Sequence, residues 1–199
     1  FQYVEAYKTL RTNINFMAAS NNYRRLVITS SIPGEGKSNV AINLAISLAE
    51  NGKKVLIIDC DLRKPVMHKY LRITRRASGL TNVLSGEATP ADVIVHFSDL
   101  NIDVITAGVI PPNPAELLGS ARMGKMLDSL SAQYDYIIMD TPPASVVTDA
   151  AVLSALADGV IFVVGHANAT IESAQLAKKN LEAANANIIG AVLNGFDLK

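Results

Sequence analysis

The stretch "RLVITSSIPGEGKS", residues 25–38, decides the fold of this chain. Its first half is a short apolar run, and its second half is a glycine-containing loop that ends in Gly36, Lys37 and Ser38. Beyond it, apolar residues recur at helical spacing: Val40, Ala41, Leu44, Ala45 and Leu48. An apolar run, a glycine turn and an amphipathic segment in this order predict a strand, a loop and a helix that packs back onto the strand.

Further apolar runs continue this pattern along the chain. They are "KVLIIDCD" (54–61), "NIDVITAG" (101–108), "YDYIIMDTPP" (134–143), "GVIFVVG" (159–165) and "NIIGAVLNG" (187–195). Runs that are apolar on both faces are typical of parallel strands covered by helices. Between them we predict helices at 123–130, 149–156 and 171–184, and one over "ADVIV" after an N-cap at Thr89 and a first-turn Pro90. The prediction is an α/β fold with a doubly wound, mostly parallel sheet, in one domain over residues 1–199.

Composition excludes several classes of protein. The 199 residues include 18 Lys and Arg and 18 Asp and Glu, so the formal net charge is zero. Because a neutral chain has no general attraction for polyanions, we predict no nucleic-acid partner. The single cysteine, Cys60, excludes a disulfide within the chain and is typical of a reducing cytosol. No run approaches the roughly 18 apolar residues of a membrane-spanning helix.

The glycine loop matches most of the phosphate-binding pattern Gly-x4-Gly-Lys-Ser/Thr, which lies between a strand and a helix. Ser31 stands where the pattern has its first glycine, and Gly34 supplies flexibility inside the loop. In such a loop, backbone amides and the helix N-terminus bind phosphate oxygens, the lysine pairs with the β- and γ-phosphates, and the serine hydroxyl binds Mg²⁺. The predicted nucleotide-binding residues of the loop are Pro33, Gly34, Glu35, Gly36, Lys37, Ser38 and Asn39.

Three aspartates end two of the other apolar runs. Asp59 and Asp61 lie on the same side of an extended chain, and Asp140 ends the run "YIIMD". In doubly wound sheets, ligands bind beyond the carboxyl ends of the strands, so these aspartates and the loop converge there. The combination indicates a nucleoside triphosphate with Mg²⁺: one carboxylate binds the metal ion, and another orients or deprotonates the nucleophile. Water and a tyrosyl hydroxyl are both open as that nucleophile, because they need the same phosphates and the same base.

Beyond these motifs, the sequence resembles the cytoplasmic catalytic domain of the bacterial tyrosine kinases (BY-kinases) over nearly its whole length. The similar segments are "VEAYKTLRTNI" (4–14), "PGEGKS" (33–38), "LIIDCDLRKP" (56–65), "GLTNVLSGE" (79–87), "AGVIPPNPAELLGS" (107–120) and "YDYIIMDTPPASVVTDAAVL" (134–153). The resemblance implies a P-loop kinase domain that uses ATP and Mg²⁺ to phosphorylate protein tyrosines, and that regulates capsular and exopolysaccharide synthesis and export. The segment "PPNPAELL" is a specific family mark, because it has no evident part in phosphate binding.

The alternative function is a nucleotide-driven switch, as in the partitioning and division-site ATPases of the same superfamily. Those proteins usually carry an extra lysine five residues before the last lysine of the loop, and this chain has Ile32 there. The missing lysine and the segment "PPNPAELL" favour the kinase. A non-catalytic scaffold is a third alternative, which the retained Lys37 and the three aspartates disfavour.

The resemblance also implies roles for single residues. Lys37 and Ser38 correspond to ligands of ATP and Mg²⁺, Asp59 to the base that accepts the tyrosine proton, and Asp61 and Asp140 to residues that help bind Mg²⁺. Asn194 ends the last apolar run, where related ATPases contact adenine. For Asn194, a simple Asn-Gly turn is an equally good interpretation.

Residues 1–20 predict an amphipathic helix with two possible uses. One face is apolar and comprises Tyr3, Tyr7, Leu10, Ile14 and Met17. The charged face contains Glu5, Lys8 and Arg11. Either the helix simply packs on the sheet, or its charged face docks onto a neighbouring subunit. The family's oligomerisation motif is Glu-x-x-Arg-x-x-Arg, so the resemblance implies a ring-like homo-oligomer through this helix. Because Lys8 lacks the planar fork of arginine, we expect a weaker or differently bonded interface.

Two further partners follow from the resemblance. Family members usually end in a tyrosine-rich tail that is phosphorylated in trans, whereas this sequence ends in "NGFDLK" (194–199), so we expect a tail that was trimmed or is naturally absent. Tyrosine-bearing proteins are the expected substrates. The family also needs a membrane-spanning activator, fused or separate, whose cytoplasmic tail docks on the kinase. This implies a cytoplasmic domain attached peripherally to the inner face of the plasma membrane.

Overall fold

A seven-stranded sheet runs through the molecule. The computed structural model describes residues 2–73, 78–166 and 168–196. In these residues the helices are α1 (Gln2–Asn21), α2 (Lys37–Glu50), α3 (Met67–Tyr70), α4 (Leu80–Ser85), α5 (Pro90–Val93), α6 (Pro114–Leu118), α7 (Ala121–Ser131), α8 (Asp149–Ser154) and α9 (Ile171–Ala183). The strands are β1 (Arg25–Ser30), β2 (Val55–Asp59), β3 (Ile94–Phe97), β4 (Ile102–Ile105), β5 (Tyr136–Asp140), β6 (Gly159–Gly165) and β7 (Ile188–Asn194).

The sheet is doubly wound. The strand order is β3-β4-β2-β5-β1-β6-β7, and every neighbouring pair is parallel except β3 with β4. From β1, the chain builds outward through β2 on one side and β6 on the other, so the carboxyl end of β1 lies where the winding reverses. Ligands of such folds bind at this point. The prediction of a mostly parallel, doubly wound α/β fold is confirmed.

Both faces of the sheet are covered, which explains why β1 is apolar at successive positions. Leu26 and Ile28 pack into a core with α1 and α2, whereas Val27 faces a second core formed with α4 and α6–α9. All three side chains are fully buried. Burial of such a side chain contributes about 1.5–3 kcal/mol, so the two cores fix the central strands firmly.

The predicted helix over "ADVIV" is right at its start and wrong in its length. Thr89 occupies the N-cap position as expected, and the Asp92 carboxylate of the first turn accepts hydrogen bonds from the Thr89 N–H and hydroxyl, at 2.8 and 2.6 Å. The helix α5 nevertheless ends at Val93, and Ile94–Phe97 pair antiparallel with β4. β-branched residues at this point favour a strand, and β4 offers them a free edge to pair with.

The N-terminal helix α1 lies on α2 through the predicted apolar face. Tyr7 and Ile14 are buried, Leu10 and Met17 are partly buried, and Tyr3 remains 57% exposed. Among the described residues, no helix combines the length and the apolar character needed to cross a membrane.

Candidate active site

The phosphate-binding loop curves between β1 and α2 through two glycines with left-handed backbone angles. Gly34 has φ 88° and Gly36 has φ 85°, a region that other L-residues rarely adopt. Gly36 precedes the first residue of α2, so the 14-residue helix directs its N-terminus at the loop. Positive helix ends and free amides at such a turn bind phosphate, as the sequence predicts.

A cavity of about 310 Å³ opens beside this loop. Its lining includes Pro33, Gly34, Gly36, Lys37 and Ser38 from the loop. It also includes Asp61, Arg63, Lys64, Val66 and Tyr70, which follow β2, and Pro142, Pro143, Val146 and Val147, which follow β5. The structure therefore brings most of the predicted loop residues to one cavity at the carboxyl ends of the strands. Asn39 is exposed on α2 and is not part of this lining.

The predicted aspartates converge on Lys37. Asp59 and Asp140 are register partners on the adjacent strands β2 and β5. The Lys37 ammonium lies 3.2 Å from Oδ2 of Asp61 and 3.6 Å from Oδ1 of Asp140. The Asp59 carboxylate accepts the backbone N–H groups of Asp61 and Met67, at 3.2 and 3.3 Å. All of these carboxylates are buried, so the site concentrates negative charge around one ammonium group.

The excess of carboxylates over cations shifts the pKa values of these groups. Burial and the negative charges of Asp140 and Asp61 raise the pKa of Asp59 to about 8. Burial also raises the pKa of Asp140 above its ordinary value, although the ammonium group of Lys37 opposes the shift. Burial alone would lower the pKa of Lys37, but the carboxylates of Asp140 and Asp61 outweigh it and raise that pKa. The cluster would be stabilised by a further cation.

The residues fit Mg²⁺ as that cation. Both carboxylate oxygens of Asp140 are buried and accept no hydrogen bond among the described residues, and the ammonium group of Lys37, 3.6 Å from Oδ1, is shared with Asp61. A buried carboxylate with so little compensation is costly. Ser38 and Asp61 line the cavity in front of it, so the site offers hard oxygen donors. The described residues contain no ready-made cluster of three metal-ligating side chains. Mg²⁺ suits such a site, because it usually takes one or two carboxylates and completes its shell with water and phosphate oxygens.

Glu35 belongs to the loop, but its side chain is turned into the protein. The carboxylate is almost fully buried and accepts hydrogen bonds from the Ser31 hydroxyl at 2.7 Å, from the Ile32 amide at 2.8 Å and from the Gly165 amide at 2.9 Å. Only the backbone of Glu35 is thus placed for a nucleotide. Ser31, where the motif has glycine, is used as a donor to this carboxylate.

Asn194 supports the same loop. Its side-chain amide donates to the backbone carbonyl of Glu35 at 2.9 Å. A Cβ atom on Gly36 would lie 2.1 Å from that amide nitrogen, so the contact also requires glycine at position 36. The loop is therefore braced from the end of β7, and adenine binding by Asn194 stays a prediction.

One ion pair at the site was not anticipated. Arg63 donates from Nε and Nη2 to the two carboxylate oxygens of Asp149, both at 2.9 Å, and the Asp149 side chain is fully buried. This bidentate pair ties the segment after Asp61 to the start of α8. Arg63 is conspicuous in the sequence "DCDLRKP", but its partner lies 86 positions away and no local pattern identifies it.

The predicted interface residues of α1 divide into two groups. Lys8 and Glu5 form an exposed ion pair of 2.7 Å on the helix surface. Arg11 instead donates to the backbone carbonyl of Ser47 on α2, at 2.7 Å. Glu5 and Lys8 thus remain available to a neighbouring subunit, whereas Arg11 is engaged within its own chain. The interface itself stays a prediction.

Comparisons with known proteins agree with this geometry. A family model described as an AAA domain matches residues 23–188. The tyrosine-protein kinase YwqD of Bacillus subtilis (strain 168) is 42% identical over 194 residues, which are 98% of this chain and 81% of that protein. The kinase domain of the Escherichia coli tyrosine kinase ETK superposes with a TM-score of 0.93 at 38% identity, over 96% of this chain and 75% of that chain.

A switch ATPase is similar at a lower level. The septum site-determining protein MinD of Pyrococcus horikoshii OT3, in complex with Mg-ADP, has a TM-score of 0.73 at 25% identity, over 88% of this chain and 72% of that chain. Both classes share the phosphate-binding fold, so the fold alone does not separate them. Sequence identity and coverage do, and the chain belongs to the family of bacterial protein-tyrosine kinases.

Proposed function

We propose that this chain transfers the γ-phosphoryl group of ATP to protein tyrosines and thereby regulates capsular or exopolysaccharide synthesis and export. One observation carries the proposal: in a chain of this family, Lys37 and Asp61 line the phosphate-binding cavity, and the buried Asp140 and its register partner Asp59 lie directly behind them. Phosphoryl transfer needs mainly positioned phosphates, charge neutralisation and a base near the nucleophile. These residues supply each of them.

The loop and Lys37 bind and neutralise the triphosphate. The ammonium group of Lys37 lies on the cavity wall beside Asp61 and Asp140, and its raised pKa keeps it charged at neutral pH. Ser38, Asp140 and Asp61 are the residues that would bind Mg²⁺. When bound, Mg²⁺ supplies positive charge to the phosphate oxygens and so stabilises the charge that develops during transfer.

Asp59 is the proposed proton acceptor. A free tyrosine hydroxyl has a pKa of about 10, and an ordinary aspartate is a weak base for it. Burial beside Asp140 and Asp61 raises the pKa of Asp59 to about 8, which brings its basicity closer to that of the phenol. A cation bound beside Asp140 and Asp61 would favour the ionised form of Asp59, and in that form the carboxylate suits the removal of the tyrosyl proton as the bond to phosphorus forms.

Assembly and location are part of the same proposal. The exposed Glu5 and Lys8 support a homo-oligomer through α1, in which one subunit phosphorylates a tail of its neighbour. The family resemblance supports docking of the cytoplasmic tail of a membrane-spanning activator. Through that activator, the kinase would lie at the inner face of the plasma membrane.

The second candidate is a nucleotide-driven switch, and the similarity to MinD favours it. Against it stands Ile32, at the position where those ATPases usually have their extra lysine. The backbone amide of Ile32 is also bonded to Glu35, which fixes this part of the loop within its own chain.

One assay separates the candidates. The chain is incubated with labelled ATP, Mg²⁺, an activator-tail peptide and a tyrosine-bearing protein, and phosphotyrosine and free phosphate are both measured. We expect phosphotyrosine from the wild type and its loss in Lys37→Met and Asp59→Asn, but not in Asp135→Asn at the opposite end of the sheet. Release of phosphate without phosphotyrosine would favour the switch, and absence of nucleotide binding would leave only a scaffold.

A further inference from the structure

A second cavity, of about 540 Å³, adjoins the nucleotide cavity. The two share Arg63, Lys64 and Val66 in their linings, so the segment after Asp61 forms the boundary between them. A polypeptide that presents a tyrosine to the nucleotide site can therefore continue into this second cavity. The nucleotide chemistry described above makes no use of it.

The lining of this second cavity is basic on one side. Arg63, Lys64, His68 and Lys69 all contribute, and no Asp or Glu is part of the described lining. The charge of Arg63 is compensated by Asp149. Within the part of the chain that the structure describes, neither Lys64 nor Lys69 has an acidic group within 4.0 Å, and both are exposed. In a chain of zero net charge, this is a local excess of positive charge.

The opposite wall is a fixed piece of backbone, formed by Thr106, Ala107 and Gly108. The amides of Leu80 and Thr81, at the start of α4, donate to the carbonyls of Thr106 and Ala107 at 2.8 and 3.0 Å. The contact is so close that a Cβ atom on residue 79 would lie 2.4 Å from the backbone of both Thr106 and Gly108. This wall is therefore formed by the fold itself. The close contact requires glycine at position 79, which is the first residue of "GLTN".

Ile110 completes the cavity with an apolar rim. It lines the cavity although its side chain is 59% exposed, and its neighbour Val109 is 64% exposed. Exposed aliphatic side chains next to unpaired lysines form a surface that suits a peptide with both acidic and apolar or aromatic residues. Ala107, Gly108 and Ile110, which precede "PPNPAELL" and have no part in phosphate binding, thus line this second cavity.

We propose that this cavity binds acidic residues that flank the acceptor tyrosine of a protein substrate. The inference rests on the proposed kinase function and adds the substrate class. Lys64 and Lys69 pair with the flanking carboxylates, while Ile110 contacts apolar atoms of the same segment. The acceptor tyrosine lies across the boundary formed by Arg63, Lys64 and Val66, next to the Asp59 cluster.

The first test measures binding, independently of phosphoryl transfer. Three labelled peptides of equal length carry one tyrosine flanked by Glu, Gln or Lys, and fluorescence anisotropy follows their binding to the chain with ADP and Mg²⁺. We expect the Glu peptide to bind about fivefold more tightly than the Gln peptide at low salt, and the difference to vanish at high salt. Equal affinities of the Glu and Gln peptides would overturn the inference.

The charge-reversal variant Lys69→Glu assigns the effect to the cavity. It should abolish the preference for the Glu peptide, because the new carboxylate cancels the charge of Lys64, whereas Lys179→Glu on the exposed surface of α9 should leave the preference of the wild type. Because the readout is a ratio between peptides, a general loss of binding cannot imitate it. An unchanged ratio in Lys69→Glu would place the selectivity elsewhere and overturn the assignment.

Phosphorylation of the same peptides separates this inference from the proposed function. The wild type should phosphorylate the Glu peptide with the highest kcat/KM. Equal kcat/KM values for all three peptides would agree with the kinase function but would rule out the acidic-substrate site. Binding that depends on Lys69 without phosphorylation of any peptide would keep the site and contradict the kinase function.

Discussion

The two ends of the central strands use aspartate in opposite ways. At the amino ends, the Asp158 carboxylate accepts the backbone N–H groups of Arg24 and Arg25, at 2.8 and 2.7 Å. Asp135 accepts the backbone N–H of Lys54 at 2.8 Å. These carboxylates fasten the loops that lead into β1 and β2, and their hydrogen bonds are made within the fold.

At the carboxyl ends, hydrogen bonds within the protein satisfy the aspartates only in part. Asp140 accepts no hydrogen bond among the described residues, and Asp59 is buried beside it with a raised pKa. Lys37 is the one cation within 4.0 Å of these carboxylates among the described residues, and buried carboxylates with so little compensation cost stability unless a further cation binds them. Carboxylates of the fold and carboxylates of the site thus differ in how far the protein itself satisfies them. The following experiments test this division.

The largest expected effect is the loss of catalysis in Lys37→Met. Removal of the ammonium group takes away the compensation of Asp61 and Asp140 and, under the proposed function, the positive charge that faces the phosphates. We expect the initial rate of phosphotyrosine formation to fall about 10³-fold. Lys54→Met, at the amino ends of the strands, is the matched control and should retain the rate. A loss of less than tenfold in Lys37→Met would break the assignment of this end to catalysis.

The second effect concerns pH. Because the pKa of Asp59 is raised to about 8, the folded protein retains a proton that the unfolded chain releases near pH 4. The stability from this group is therefore complete at low pH and is lost as pH rises through about 8, with a slope of at most about 1.4 kcal/mol per pH unit for one proton. The measurement is urea denaturation of the nucleotide-free chain in a chelator, from pH 5 to pH 9.

Two variants isolate the origin of that slope. Asp59→Asn should flatten it and should be more stable than the wild type at pH 9, because no charge is then buried next to Asp140. Asp135→Asn, at the amino ends, should leave the slope as it is. If Asp59→Asn kept the slope of the wild type, Asp59 would not be the group that binds the extra proton.

A third, smaller effect is expected at the amino ends. Asp158→Ala removes the acceptor of two backbone amides, and we expect the free energy of unfolding to fall by about 1–3 kcal/mol. The exposed Asp99 offers a control, Asp99→Ala, which should change stability little. Kinase activity of folded Asp158→Ala should stay within about twofold. A large loss of activity at unchanged stability would contradict the division between the two ends.

The smallest effect on stability is expected on the exposed surface of α1. The Glu5–Lys8 pair is exposed, so the double variant Glu5→Ala/Lys8→Ala should alter the free energy of unfolding by less than about 1 kcal/mol. Light scattering coupled to size exclusion should nevertheless show a shift toward the monomer. An unchanged mass would remove the interface role from these two residues.

The sequence predicts most of the sheet and the positions of the aspartates at the candidate site. Asp59 and Asp140 end strongly apolar runs, and the rule that ligands bind at the carboxyl ends of parallel strands brings them together. At the β3 edge of the sheet, the local sequence predicts only part of the structure. The predicted helix start at Thr89 is correct, but Ile94–Phe97 form β3 instead of extending that helix. There, pairing with β4 decides the structure, and pairing is a property of the folded sheet.

Contacts between distant residues account for the rest. The carboxylate of Glu35 turns inward because it meets the amide of Gly165, 130 positions away. Arg63 finds Asp149 in the same way. Neither side chain has a local pattern that states its direction, so the motif predicts that Glu35 belongs to the nucleotide-binding loop but not that its carboxylate turns inward. Such orientations follow only from the assembled sheet.

The inward carboxylate of Glu35 has a consequence for the kinetics of nucleotide binding. With the Ser31 hydroxyl and the amides of Ile32 and Gly165 already bonded to it, the loop keeps its curve before any phosphate arrives. Association then spends little conformational entropy on ordering the loop, and the rate constant for ATP binding should be set by diffusion into the cavity. Slow hydrogen exchange of the Ile32 amide in nucleotide-free protein would be its signature, and fast exchange there would show that the loop orders only on binding.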